Sequence, residues 1–578
     1  MSPPPGRPKL RSVHARAGGH GAADLSPLGG KARSAKRALL SGWRRIGGTL
    51  SFAAAACALA AGSAWAQQAQ PQPTPEAIDR GVVGGARPQT TDTPLPAAEI
   101  IPRRTASLDF GVAMEALFSD NFVLGGEDRE ASGRSLELSP YVQGFLRTAK
   151  SQGVMSLRLR GLWYDTQGTS DTNLSPEVKA SGDFSINGDS LRIAGSSYVF
   201  RNAPSPFSAT PIDPAARAAE TNLYREYTVS PYSLGTVGRA DYELRYRASS
   251  VDTGGITPGS VSQQVAGGLA SSREAAASTL GWSANGDVER VDFEDDTNLN
   301  RNYAEVLAYY RVVPTLRLGA GINHARVDVL RNADGDDSGY GPAAFLSWRP
   351  TTRTALTAKW ADTYYGTESS LNFTHRRARW LLGLAYVRSL QTGSEASLLY
   401  LDPVRIFQLS DASANEGALL VQSLAERRVA SGAGRDLAFG QTGSRLVFSE
   451  NLVASLALNG ARNSLVLSVF QNDQQPVQSE LSTAGEFDLL QRGITLDTDH
   501  RLTQSSAVFL STQYIRSESD DTGQDARLAS LAIGWRMNVT RHASFTVTAR
   551  TSRQTSEGAT PSNEYRENAA YVTVDYRF

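Results

Sequence analysis

The chain has 578 residues, with 58 basic and 58 acidic side chains and a single cysteine. A charge balance of this kind argues against a nucleic-acid partner, which calls for a net basic surface. One cysteine excludes a disulfide framework and a thiolate metal centre.

Residues 1–66 read as a secretory signal peptide. Scattered Lys and Arg end in Arg44-Arg45, an Ala-rich apolar run follows Leu50-Ser51-Phe52, and Ala64-Trp65-Ala66 offers a small-x-small cleavage site after Ala66. The context of Arg44-Arg45 is not that of a twin-arginine signal, so Sec export is expected. Cys57 lies inside the apolar run without a lipobox before it. Cleavage therefore leaves a mature chain free of cysteine. It also removes ten basic residues and only Asp24 among the acids, leaving a net charge of −9. Residues 67–107 are rich in Pro, Gln, Thr and Ala and read as a flexible periplasmic lead-in.

From 108 to 578 the pattern is β throughout. Leu108, Phe110, Val112, Met114, Ala116 and Phe118 alternate with Asp109, Gly111, Ala113 and Glu115. The same two-residue period returns in Met155–Trp163, Leu191–Gly195, Ala240–Ala248, Ala304–Tyr310, Leu316–Ile322 and Ala529–Met537. Most runs are about ten residues long, enough for a tilted strand to cross hydrocarbon. No apolar run of helix-spanning length follows the signal. Short links at Asn187-Gly188-Asp189, Val237-Gly238, Pro314-Thr315, Pro350-Thr351-Thr352 and Thr540-Arg541 contrast with polar loops near 119–133, 202–220, 252–260, 330–339, 402–426, 518–525 and 554–564. Short periplasmic turns and long outer loops are the habit of outer-membrane barrels. Trp163-Tyr164, Tyr309-Tyr310 and Tyr364-Tyr365 are candidates for interfacial girdles.

The chain ends on a strand. Val572, Val574, Tyr576 and the terminal Phe578 share one face, and Thr573, Asp575 and Arg577 the other. An apolar face ending in an aromatic carboxy-terminus is how a barrel's last strand meets its first. The expectation is an all-β, transmembrane, antiparallel up-and-down barrel of roughly 20–24 strands, closed by the C-terminal strand, in the outer membrane. Such a protein contacts outer-membrane lipid and lipopolysaccharide and depends on the barrel-assembly machinery. A secreted β-helix or propeller would need a fixed repeat, and the sequence has none.

Chemistry is sparse. His324, His375, His500 and His542 are far apart, and no metal-binding spacing, phosphate loop or nucleophile elbow occurs. No enzymatic activity, cofactor or metal is expected. His375 and His500 read as polar anchors at strand ends, and Asp120, Asp295, Asp296, Asp336 and Asp337 as solvated loop acids. Arg158, Arg160, Arg192, Arg245, Arg247 and Arg317 stand opposite the apolar face of their strands, which in a barrel is the lumen. They either tune passage of an anionic solute or pair with acids such as Asp241 and Glu243.

Six local patterns resemble one family: Ser119-Asp120-Asn121; Trp348-Arg349-Pro350-Thr351-Thr352-Arg353-Thr354; Phe373-Thr374-His375-Arg376 before Trp380 and Tyr386; Asn459-Gly460-Ala461-Arg462-Asn463-Ser464; Asp499-His500-Arg501-Leu502; and Tyr565-Arg566-Glu567-Asn568. In this order they resemble the outer-membrane barrels associated with PEP-CTERM and exopolysaccharide loci, related to the β-barrel porin type 2 proteins. The resemblance implies a role in exopolysaccharide biosynthesis or export, as a channel or as the assembly partner of a periplasmic polysaccharide-export complex. A general diffusion porin for small solutes is the alternative.

Overall fold

The structure, a computed structural model, describes residues 105–124, 130–148, 151–166, 169–187, 190–202, 205, 207–208, 222–252, 254, 259–271, 279–330, 337–392, 446–477, 488–558 and 564–578. The segment expected to be the export signal, with Cys57 and Ala66, the expected lead-in up to 104 and the loop expected at 402–426 lie outside them.

Among the described residues all regular structure is β. The strands are β1 (Thr105–Ser119), β2 (Gly133–Arg147), β3 (Gln152–Thr166), β4 (Thr169–Asn187), β5 (Leu191–Asn202), β6 (Asn222–Val237), β7 (Ala240–Asp252), β8 (Ser260–Ser271), β9 (Leu280–Phe293), β10 (Asn298–Val313), β11 (Leu316–Val327), β12 (Ser338–Thr351), β13 (Thr354–Thr363), β14 (Gly366–Arg377), β15 (Trp380–Thr392), β16 (Leu446–Asn459), β17 (Asn463–Pro476), β18 (Leu489–Arg501), β19 (Ser506–Ser519), β20 (Gln524–Asn538), β21 (Ala543–Glu557) and β22 (Tyr565–Arg577). They form one 22-stranded antiparallel sheet in which each strand pairs with the next and β22 returns to β1. The barrel is closed through the β1–β22 pairing, as expected.

Burial follows the two-residue period. On β1, Leu108, Phe110, Met114 and Phe118 are 48 to 55% exposed, whereas Ala113, Glu115, Leu117 and Ser119 between them are buried. The same exposed apolar face runs around the sheet through Leu159, Leu244, Val288, Ile322, Trp360, Val469, Ile533 and Val574. An apolar belt on this scale is far larger than a soluble monomer leaves in water. Facing lipid, it is the favoured state, because every backbone polar group is already paired within the closed sheet. The protein is an integral outer-membrane barrel.

The even strand count puts the start of β1 and the end of β22 at the same rim. The expected turns at Val237-Gly238, Pro314-Thr315, Pro350-Thr351-Thr352 and Thr540-Arg541 lie there, Gly188 and Asp189 being outside the described residues; Val237 pairs with Ala240 around Gly238, whose φ of 59° suits a residue without a Cβ. This is the rim of the short turns, hence the periplasmic one. Two departures stand out. The link between β8 and β9 spans 272–279 on the short-turn rim, and β3–β4 and β13–β14 are joined by tight links on the opposite rim.

Outward aromatics mark two levels. Trp282, Tyr310, Trp348, Tyr576 and Phe578 lie near the periplasmic rim, and Phe118, Trp163 and Tyr340 near the outer one. Tyr340 and Trp348 share β12, separated by about 26 Å of strand at roughly 3.3 Å per residue, or about 20 Å of height at a tilt of about 40°, close to the roughly 25 Å apolar band of an outer-membrane barrel. Girdle assignment therefore suits Trp163 and Tyr310. Tyr364 and Tyr365 depart from it: they form the tip of the β13–β14 link and pack with Phe293, Leu299, Val327 and Leu390. Tyr309 also departs, turning inward to meet Phe345 edge-on at 5.2 Å.

The β1–β22 seam pairs Gly111 through Ser119 with Arg577 through Ala569, setting Ala116 opposite Val572, Met114 opposite Val574 and Val112 opposite Tyr576. The terminal Phe578 donates its amide to the Phe110 carbonyl at 2.8 Å. Side chains reinforce the seam from within. The ring of Tyr141 on β2 lies over Gly111, where a Cβ would come within 2.4 Å of it. Crossing β1 above that glycine, the Tyr141 hydroxyl donates to Asp575 Oδ1 on β22 at 2.9 Å. Thr573 donates to Glu115 across the same seam at 3.1 Å.

Candidate lumen and its mouth

The six arginines singled out from the sequence do not form a ring of free charge. Arg160 is buried on β3 and donates through Nε to both carboxylate oxygens of Glu137 at 3.0 Å, and Ser139 completes the group. Arg158, two residues earlier, lies over the Tyr141 ring at 5.7 Å. Arg192 on β5 donates to Asp183 on β4 at 2.7 Å, and the Tyr232 hydroxyl bonds the other oxygen of that carboxylate. Arg245 on β7 covers the Tyr232 ring at 3.9 Å and bonds Glu243 at 3.0 Å and Ser230 at 3.2 Å. Tyr232 thus brings Arg192 and Arg245 into one group. Arg247 is half-buried on the same side of β7 as Arg245, and Arg317 is buried on β11, remote from that group.

Three further inward pairs were not anticipated from the sequence: Arg301–Glu289 at 2.6 Å, Lys359–Glu305 at 2.9 Å and Arg550–Glu567 at 2.8 Å. Of the acids proposed as partners, Glu243 serves, but Asp183, Glu137 and Glu567 were missed. Their pairings cross between strands, so the signal lay in register rather than in local sequence. Buried pairs of this kind roughly cancel their own desolvation cost, yet leave a large penalty if one partner is removed.

The wall formed by β16–β19 is different. Its inward side chains at the outer half are Ser449, Asn451 and Val453 on β16; Phe470, Asn472 and Gln474 on β17; Leu489, Gln491 and Thr495 on β18; and Ile515, Ser517 and Ser519 on β19. All are buried and none is charged. Register places Asn451 opposite Asn472, Asn472 opposite Gln491, and Gln491 opposite Ser517, so one row of three amides and a hydroxyl crosses four strands.

The outer mouth is narrowed. A round cylinder of this many strands, spaced about 4.8 Å and tilted about 40°, would be roughly 44 Å across. Yet Phe207, just beyond β5, is buried against Leu489 of β18 and Ala526 of β20. Gln554 on β21 also donates to the Ser208 carbonyl at 2.8 Å. The chain from the end of β5 to Phe207 can reach only about 18 Å. The β5 edge and the β18–β21 wall therefore approach one another at this level. A second apolar cluster joins Val291, Phe293, Leu299 and Val327 of β9–β11 to Leu390 and Leu446 of β15–β16, over the low β13–β14 link. Arg301 fixes this bridge by donating to the Leu390 carbonyl at 3.0 Å.

The six family-like patterns come together in pairs. Ser119 donates to Glu567 at 2.9 Å, Asp120 accepts from the Asn568 amide at 2.7 Å and its side chain at 2.6 Å, and Asn121 donates to the Arg566 carbonyl at 2.9 Å. The first and last patterns thus clasp the outer end of the seam. Thr354 bonds His375 at 2.8 Å, uniting the second and third patterns, and Asn463 bonds His500, uniting the fourth and fifth. His375 and His500 sit at strand ends, as expected of anchors, and His542 bonds the Arg577 carbonyl at 3.1 Å. His324 stacks on Tyr340. Among the loop acids, Asp295 accepts from Thr297 and Asp337 pairs with Arg326, while Asp336 lies outside the described residues. Among the described residues no group of three or more His, Cys, Asp or Glu is placed to hold a metal ion.

No family model matches the chain, and no curated protein does. Solved structures with similarity include the FrpB iron transporter of Neisseria meningitidis, at 9% identity and a TM-score of 0.41 over 81% of this chain and 82% of that one. The siderophore receptor PirA of Pseudomonas aeruginosa gives 11% identity and 0.37 over 82% and 81%. PirA of Acinetobacter baumannii gives 10% and 0.38 over 81% and 80%. Likeness this distant carries no argument about substrate, and the barrel assignment rests on strand pairing and the lipid-facing belt.

Proposed function

We propose that this barrel supports exopolysaccharide export as an outer-membrane conduit working with a periplasmic polysaccharide-export complex. The observation that carries the reading is the inner wall: Arg160, Arg192 and Arg245 are paired with buried or half-buried acids, and β16–β19 offer an uncharged row of amides and hydroxyls. Polyhydroxylated chains exchange hydrogen bonds with such a surface without paying to strip a charge of water. The ordered set of six patterns supports the same reading, through the family they resemble. The alternative, a general diffusion porin, is disfavoured by Phe207 packing across the mouth, which suits a path opened for a particular solute.

The test is a clean deletion of the gene, complemented in trans. The expected result is loss of most extracellular polysaccharide, with glycan retained in the periplasm and outer-membrane integrity unchanged. Unaltered secretion in the deletion strain would contradict the proposal.

A further inference from the structure

We infer that the amide row on β16–β18 is a binding tract for an uncharged saccharide chain, an inference that rests on the export reading and specifies its cargo. Asn472 and Gln474 are 0% and 1% exposed, and among the described residues neither the oxygen nor the nitrogen of either amide has a hydrogen-bond partner. Gln491 uses its nitrogen on Ser517 at 3.0 Å and Asn451 its nitrogen on Ser449 at 2.8 Å, which leaves the oxygen of each unpartnered. Register sets these residues side by side: Asn451, Asn472 and Gln491 in one row, with Gln474 opposite Ser449 in the next. Buried polar atoms are almost always paired. A contiguous set of buried, unpaired donors and acceptors, all pointing the same way, is one that another molecule would complete.

The row beneath defines what that molecule is. Val453 stands opposite Phe470, and Phe470 opposite Gly493, whose missing Cβ lets the ring lie flat against the wall: a Cβ there would come within 2.3 Å of it. Ile515, opposite Gly493 on the other side, extends the apolar strip. A sugar ring presents the same two textures, hydroxyls on its rim and C–H bonds on its faces. A hydroxyl both donates and accepts, which suits amides whose two ends are both free. No inward side chain of β16–β19 carries charge until Asp497, nearer the periplasmic rim, which accepts from Ser511 at 2.6 Å. A carboxylated or phosphorylated sugar would therefore be desolvated here without a counter-ion. Of the two roles open to the six inward arginines, pairing with acids fits Arg160, Arg192 and Arg245, which are held by buried or half-buried acids.

The experiment uses the mature full-length protein in lipid nanodiscs, with a neutral glucose oligomer and a polygalacturonate of equal length as probes. Wild type is expected to bind the glucose oligomer and to ignore the polygalacturonate. Asn472→Leu and Gln474→Met, close in shape to the residues they replace, are each expected to weaken that binding about tenfold, the scale of one hydrogen bond. Neither should lower the urea midpoint of the barrel, and a rise is expected, since each removes buried unpaired polar atoms. A purely structural role predicts the reverse: a lowered midpoint and unchanged binding. Equal or tighter binding of the polygalacturonate, or no binding of the glucose oligomer, would overturn the inference. If the deletion strain loses its glycan while the purified barrel ignores the glucose oligomer, this inference falls and the export reading stands. Retained secretion with intact neutral-sugar binding would remove the export reading alone.

Discussion

Replacing Gly111 with valine is expected to loosen the barrel at its seam, lowering stability by about 2–4 kcal/mol. The cause is steric first. A Cβ at this position falls within 2.4 Å of the Tyr141 ring, so the ring must leave the wall. The hydroxyl then loses Asp575, a bond at 2.9 Å that ties β2 to β22 over the top of β1. A hydrogen bond to a charged partner contributes about 1.5–3 kcal/mol, and overpacking adds to that loss. The expected observation is a lower urea midpoint and an earlier loss of the compact, unheated band on a denaturing gel. Tyr141→Phe should lose the hydrogen bond alone and fall between the two. Val112→Ala, which alters only the lipid face of the neighbouring position, serves as the control. A Gly111→Val protein as resistant as wild type would show that the crossing tyrosine does not hold the seam.

Glu567→Ala is the second large effect, expected at about 3–5 kcal/mol, because it strands a buried guanidinium. Arg550 and Glu567 are each 6% exposed at the side chain and pair at 2.8 Å. Glu567 also accepts from Ser119 on β1 at 2.9 Å and from Ser552 on β21 at 3.3 Å. One carboxylate therefore joins three strands at the outer end of the seam. Removing it leaves Arg550 with the Tyr571 ring at 4.8 Å and no carboxylate partner from Glu567. The double variant Arg550→Met with Glu567→Leu should recover most of the loss, since an apolar pair of similar volume replaces both charges. Urea unfolding in detergent micelles measures both. A double variant no better than Glu567→Ala would locate the effect in the serine bonds rather than in the stranded charge.

Much of this architecture was legible in the sequence because a barrel strand is a local object. Leu108, Phe110, Met114 and Phe118 show their alternation without reference to any other strand, and the lipid-facing belt simply repeats that pattern. The terminal Val572–Phe578 face declared closure for the same reason. Local pairing was legible too: Arg245 and Glu243 sit two residues apart on one face of β7 and bond there.

What stayed hidden depends on register. Glu137 and Arg160 meet diagonally between β2 and β3, and nothing in either strand alone selects the other. The amide row is invisible in sequence for the same reason, because Asn451, Asn472 and Gln491 align only once three strands are paired. Tyr364 and Tyr365 looked like girdle residues by type. The shortness of the β13–β14 link instead places them under the taller ends of β9–β11 and β15–β16.

The six family-like patterns changed meaning in the structure. Read along the chain, they suggested a shared function. In three dimensions they are three clasps, one across the seam and two across periplasmic turns. They speak directly about how this barrel is built.

The central claim is that the chain closes on itself, with alternate side chains meeting lipid. The most direct test places cysteines at Met114 and Val574, register partners on the lipid face of β1 and β22, in a protein comprising residues 67–578, which contain no other cysteine. Paired strands hold such positions within the reach of a disulfide. The account predicts rapid crosslinking in the folded, membrane-inserted protein, seen as a mobility shift that reduction reverses, and none for Met114→Cys paired with a cysteine at Val469 on β17, five strands away from β22. Failure of the Met114–Val574 pair to crosslink in inserted protein, or free solubility of the polypeptide without detergent, would contradict it.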